Sequence, residues 1–160
     1  SKRFLTAFGN KPVGNNLITI NIMTMQKIIV EVGWSGKNFS CGCGNPEIGA
    51  VFATGKTLAE AKEKFLSALQ FHIDGLKEDG ELLPEWLEKG EYQLEYVLSI
   101  AALIRSAEEF TTMAAISRAS GINQKQLSHY ANGTKQPRLN QRLRILDGLH
   151  KIGQACLSLC

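Results

Sequence analysis

Two hydrophobic rhythms divide the chain. From Lys27 to Val32 (KIIVEV) the sequence is dense in β-branched residues and predicts a strand. Gly33-Trp34-Ser35-Gly36-Lys37-Asn38 supplies turn residues, and Phe39–Cys43 resumes an extended pattern. Gly44-Asn45-Pro46 breaks the chain again before Ala50–Thr54 (AVFAT), a third short strand. Three close strands joined by tight turns predict an antiparallel meander.

The rhythm then changes. Gly55 ends the strand pattern, and Thr57-Leu58-Ala59-Glu60 has the S/T-x-x-E form of a capping box. Leu58, Ala61, Phe65, Leu69, Ile73 and Leu76 follow at spacings of three and four. They predict one amphipathic helix of about five turns whose apolar stripe covers the sheet. His72 lies beside that stripe and reads as a packing or surface residue. Gly80 and Pro84 interrupt, after which Tyr92, Leu94, Tyr96 and Leu98 alternate with Gln93, Glu95 and Val97 as a fourth strand.

Beyond residue 99 only the helical period remains. Ser99–Ala107 carries Ile100, Leu103 and Ile104 on one face. Thr111 or Thr112 caps Met113–Ser120, which stops at Gly121, a residue suited to a left-handed turn. Asn123 caps Gln124–Asn132, which Gly133 ends. Pro137 precedes a final long helix marked by Leu139, Leu143, Leu146, Leu149 and Ile152. The fold class is therefore α+β: a small β-β-β-α-β unit over residues 27–98, then an all-α unit over 99–160. Residues 1–26 read as an N-terminal arm or an appended extension. The alternation of Leu17, Thr19 and Asn21 against Ile18, Ile20 and Ile22 would also suit an extra edge strand.

Composition narrows the function classes. Apolar residues are 44% and charged residues 21% of 160, which excludes a disordered acidic tail or a collagen-like repeat. The longest apolar runs are broken by Glu, Gly or Asn and fall short of a membrane span. With no secretory signal pattern, a cytoplasmic protein with reduced thiols is expected. Cys41 and Cys43 share one face of a predicted strand, while Cys156 and Cys160 lie near the end, so a joint zinc site is disfavoured. The net charge of +3 hides an asymmetry: residues 1–99 balance at −2, and residues 100–160 at +5. A basic third attached to a mildly acidic remainder suggests two tasks, one at a polyanion. The first unit shows no Ser/His/Asp set, no phosphate-cradling loop and no acidic cluster. No catalytic residue, metal or cofactor is assigned.

The order β-β-β-α-β and the phrase Gly55-Lys56-Thr57-Leu58-Ala59-Glu60-Ala61 resemble the HicB antitoxin family. That resemblance implies a partial ribonuclease-H-like fold that masks a small HicA-type toxin, a messenger-RNA-cleaving ribonuclease. Many members carry Pro-Asp-x-Pro-Gly before the third strand; Cys43-Gly44-Asn45-Pro46-Glu47-Ile48-Gly49 stands there instead. The stretch from Ile116 to Asn123 and on through Leu127 to Pro137 looks like the Cro/repressor-type helix-turn-helix, with Ser117 where the family usually has Ala. In that fold the second helix enters the major groove with its first residues at base edges. The resemblance thus implies Asn123, Gln124 and Lys125, with Ser128 and His129 one turn on, as groove residues. It also implies Thr112, Lys135 and Arg138 as phosphate contacts. A homodimer or dimer of dimers on an inverted repeat is expected. The whole then reads as an antitoxin and autorepressor without enzymatic activity. The alternative is a stand-alone transcription regulator whose first unit senses a ligand or dimerises. A nuclease with ribonuclease-H-like chemistry would need convergent carboxylates around Mg2+, and the sequence shows no matching set.

Overall fold

A computed structural model describes residues 25–160 of the protein. The arm or edge strand expected before the first sheet strand falls, over residues 1–24, outside the described residues. Four strands form one sheet: β1 (Gln26–Trp34), β2 (Phe39–Asn45), β3 (Gly49–Gly55) and β4 (Tyr92–Leu98). Helix α1 (Leu58–Glu78) and a short α2 (Glu85–Glu88) lie between β3 and β4. Helices α3 (Ile100–Ala107), α4 (Met113–Ser120), α5 (Gln124–Ala131) and α6 (Leu139–Leu157) follow. The chain is thus a sheet-and-helix unit followed by helices, and every strand and long helix predicted within the described residues is present.

The predicted meander forms, with antiparallel pairs Val32–Cys41 and Cys41–Ala53. The spatial order is β3-β2-β1-β4, so β4 adds to the far side of β1 and runs parallel to it, with Ile28 opposite Leu94 and Val32 opposite Leu98. A parallel neighbour requires a crossover, and α1 supplies it. Period-two alternation then decides burial. Ile28, Val30, Val32, Cys41, Cys43 and Val51 point under α1, which answers with Ala61, Phe65, Leu69 and Ile73.

Local chemistry starts α1 as predicted. Thr57 Oγ1 accepts the Glu60 N–H at 3.1 Å, and Glu60 Oε2 accepts the Lys56 N–H at 2.7 Å. The return bond lands one residue earlier than a standard capping box would place it. Lys64, 2.7 Å away, and this backbone bond hold the Glu60 carboxyl below its ordinary range. Gly55 lies where β3 meets the first turn of α1. A Cβ there would come within 2.5 Å of the Ala61 nitrogen and 2.8 Å of the Glu60 carbonyl carbon.

The interruption at Gly80 and Pro84 contains an unpredicted helix. Pro84 stands at the N-cap of α2, where its missing N–H costs nothing, and places Leu87 at 2% exposure against the sheet core. His72 proves to be a packing residue: its Nε2 donates to the Ile48 carbonyl at 2.5 Å, tying the β2–β3 turn to α1. Burial raises the pKa of the Cys41 and Cys43 thiols, which keeps them protonated and unreactive. Cys156 and Cys160 lie exposed at the end of α6, away from this core.

Among the described residues no helix packs on the other face of the sheet, which is open except where Arg142 of α6 reaches its edge. Ile29, Phe52 and Val97 are 48%, 67% and 44% exposed there, with Glu31 and Glu95 among them. Gly42 sits beneath the Phe52 ring, which a Cβ would approach to 3.2 Å.

At Gly55 the close atoms are backbone and cannot swing aside. Gly55→Ala is expected to destabilise the protein by about 1–3 kcal/mol. Chemical denaturation checks this, and wild-type stability in the variant would refute the close approach.

Candidate nucleic-acid interface

Helices α4 and α5 are joined by Gly121, Ile122 and Asn123. Each helix begins on a short polar side chain, because its first N–H groups have no partner within the helix. Thr112 Oγ1 accepts from the Ala115 N–H at 3.1 Å, and Asn123 Oδ1 accepts from the Gln126 N–H at 2.8 Å. Gly121 ends α4 with φ +70°, the left-handed conformation that favours glycine.

The turn is held by bonds to its own backbone. Ser117 Oγ donates to the Ile122 carbonyl at 2.6 Å, and Ser120 Oγ accepts the Ile122 N–H at 3.3 Å. From α6, Arg144 donates through Nε to the Ser120 carbonyl at 3.2 Å and through Nη2 to the Gly121 carbonyl at 2.7 Å. Its charge meets the carbonyl end of α4, where the helix dipole is negative. Ile122 inserts at 3% exposure and joins Ile116, Leu127, Tyr130 and Ile145 in a second core.

That inward set fixes what points outward. Asn123, Gln124, Lys125, Lys135 and Arg138 are exposed, and so is Thr112 at the head of α4. Ser128 and His129 are half-buried. The eight residues singled out from the sequence therefore do not have equal freedom. Thr112 and Asn123 commit an oxygen to capping, which leaves the Thr112 hydroxyl proton and the Asn123 amide NH2 to face a ligand. His129 is engaged with the following loop: Thr134 Oγ1 donates to its carbonyl at 3.0 Å and lies 3.3 Å from its Nδ1. Gln124, Lys125, Lys135 and Arg138 make no side-chain hydrogen bond or ion pair among the described residues.

The basic surplus is partly consumed inside the protein. Besides Arg144, Arg105 is structural. It donates to the Ala131 carbonyl at 3.3 Å, to Glu108 at 2.9 Å and to Asn132, and it lies 5.7 Å from the centre of the Trp34 ring. Lys151 pairs with Asp147 at 2.8 Å. All three count toward the +5 balance of residues 100–160. The missed signal was position: Arg105 ends a helix beside Glu108, and Arg144 falls on the α6 face that also holds Ile145 and Gly148.

Gly148 was also overlooked. A Cβ there would stand 2.9 Å from the Ser120 nitrogen and Cβ, so α6 crosses α4 at backbone distance. That crossing sets the rotation of α6 and turns Leu139 and Leu143 outward, at 72% and 55% exposure. Of the apolar positions that predicted this helix, Leu149 and Ile152 therefore reach the core, whereas Leu139 and Leu143 do not. The buried residues are Ile145 and Gly148, with Leu149 and Ile152 packed beside them.

No protein-family model matches the chain, and no curated protein matches it. Among the described residues, no three His, Cys, Asp or Glu side chains gather as ligands for a metal ion, and no helix is long and apolar enough to cross a membrane.

The left-handed turn position gives a direct test. Gly121→Ala should cost about 1–2 kcal/mol, because the added Cβ disfavours positive φ. Arg144→Met should also lower the melting temperature. An Arg144→Met variant as stable as the parent would show that its two bonds to the turn contribute nothing.

Proposed function

We propose that α4 and α5 form a helix-turn-helix that binds double-stranded DNA. In this reading α5 lies in the major groove. The observation that carries it is the outward row Asn123, Gln124 and Lys125 at the start of α5, held by an inward set of Ile116, Ile122, Leu127 and Tyr130. Gln offers a paired donor and acceptor that matches adenine, and Lys donates to the acceptors of guanine. Lys135 and Arg138, in the loop after α5, are free cations placed to hold phosphates, and Thr112 adds a hydroxyl at the head of α4. Ser117, the departure from the usual motif, ties the turn through its bond to Ile122.

The first unit is assigned the second task. The sheet carrying one long helix, together with the Gly55–Ala61 phrase, supports a HicB-like antitoxin that masks a HicA-type ribonuclease. The open sheet face supports it further. Ile29, Phe52 and Val97 present an exposed apolar surface, with Glu31 beside it and Glu95 paired to Lys27 at 2.9 Å, suited to the apolar contact of a small partner. The protein so described is a binding protein that acts in the cytoplasm and represses its own operon.

Gln124→Ala and Lys125→Ala should each weaken binding to the cognate operator by about 1–3 kcal/mol and relax preference at one position. Lys135→Ala should weaken all sequences nearly equally and reduce the salt dependence of binding. Mobility-shift titrations at fixed salt separate these outcomes, and unchanged affinity in all three variants would refute the groove assignment.

For the other task, the full chain should abolish RNA cleavage by a small ribonuclease encoded beside it, and Phe52→Glu should weaken that inhibition while leaving operator binding intact. A full chain that neither co-purifies with such a protein nor inhibits it would refute the antitoxin assignment.

A further inference from the structure

The turn that ends α5 fixes which ring nitrogen of His129 carries the proton. Gly133 reverses the chain at φ +71°, the left-handed conformation that favours glycine. The Thr134 and Lys135 N–H groups are thereby brought onto the His129 carbonyl, at 3.0 and 3.3 Å. The Thr134 hydroxyl donates to the same carbonyl at 3.0 Å, which commits its only proton. Thr134 Oγ1 also lies 3.3 Å from His129 Nδ1. With no proton left to give, that oxygen can only accept, so Nδ1 has to be the donor. A neutral imidazole carries one N–H. His129 Nε2 is therefore a bare acceptor, and it makes no hydrogen bond among the described residues.

We propose that His129 reads, through Nε2, a base that carries an exocyclic amino group, adenine or cytosine. This rests on the operator reading and adds the chemistry that one position of the operator must present. His129 lies four residues after Lys125, hence on the same stripe of α5 one turn further on. The donors of the major groove are the adenine N6 and cytosine N4 amino groups, whereas guanine and thymine present a carbonyl oxygen there. A bare Nε2 is complementary to the first pair and repelled by the second. Lys125 has the opposite preference, because an ammonium group only donates. Two residues on one stripe thus demand opposite partners, which constrains register as well as sequence. The polarity comes from the fold: an unrestrained imidazole side chain in water carries its proton mainly on Nε2, and only the Thr134 oxygen reverses that choice.

Nitrogen-15 spectra of the imidazoles in the full chain, recorded in mildly alkaline buffer without DNA, test the tautomer by itself. The His129 ring, identified by its loss in His129→Ala, should show a protonated Nδ1 and an unprotonated Nε2. Thr134→Val should move the proton to Nε2, and Thr134→Ser, which keeps the hydroxyl, should not. Selection from random duplexes then tests the readout. The parent should favour adenine or cytosine at one position of the enriched sequence and bind roughly tenfold more weakly when guanine or thymine stands there, a usual cost of one wrong base pair. His129→Ala should remove that preference and leave the one set by Lys125, while Thr134→Val should turn it toward guanine or thymine. A parent ring protonated on Nε2 would overturn the inference alone, as would a preference that His129→Ala leaves unchanged. A chain that shows the expected tautomer yet enriches no duplex would overturn the operator reading and this inference with it.

Discussion

Helix α3 has to satisfy two hydrophobic cores within eight residues, and the arrangement of the molecule follows from how it does so. Ala102 is fully buried in the core beneath α1, whereas Ile100 and Ile104 belong to the core formed by α4, α5 and α6. The helix starts on Ser99, whose N–H donates to the Val32 carbonyl of β1 at 2.9 Å, so no slack separates the end of β4 from the start of α3. At the other end Arg105 spans from the Trp34 ring of the sheet to the last carbonyl of α5. A small residue at 102 and a branched residue at 104 are not interchangeable under this constraint. A larger side chain at 102 would overpack the sheet core, while a smaller one at 104 would leave a cavity in the helical core.

The same economy governs the basic residues. A positive balance in the last third is a weak indicator of a polyanion partner when some cations have internal employment. Arg105 and Arg144 each neutralise the carbonyl end of a helix, and Lys151 is held by Asp147. Among the described residues of that third, the cations left free are Arg118 on α4, Lys125 at the start of α5, Lys135 and Arg138 in the loop after it, and Arg142 on α6. That distribution carries more information than the total. A charge bonded to buried carbonyls is an element of the fold, whereas one held out on a rigid scaffold has lost little of its ability to meet a partner.

Glycine has two distinct uses here, and only one was legible. Gly121 shows in the sequence because a helix stops there and a left-handed residue is needed. Gly55 and Gly148 are close approaches, where the absent Cβ lets one backbone pass another. Nothing in their local sequence distinguishes them from ordinary turn or helix glycines, because the atom they avoid belongs to an element that meets them only after folding.

Local periodicity and capping chemistry determined the elements. The strand alternation of KIIVEV, the Thr57–Glu60 cap, the apolar spacing of α1 and the Gly121–Ile122–Asn123 turn are properties of a few adjacent residues, and they place six of the eight candidate interface side chains on exposed surface. Tertiary packing decided what depends on partners distant in the chain. It set β4 parallel to β1, made a helix of Glu85–Glu88 so that Leu87 could close the core, and took Arg105 and Arg144 out of the free surface. It also chose which of two apolar faces of α6 turned inward. Spacing identifies a stripe, but which stripe is buried depends on the backbone contact between Gly148 and Ser120, residues that the chain separates and only the folded helices bring together.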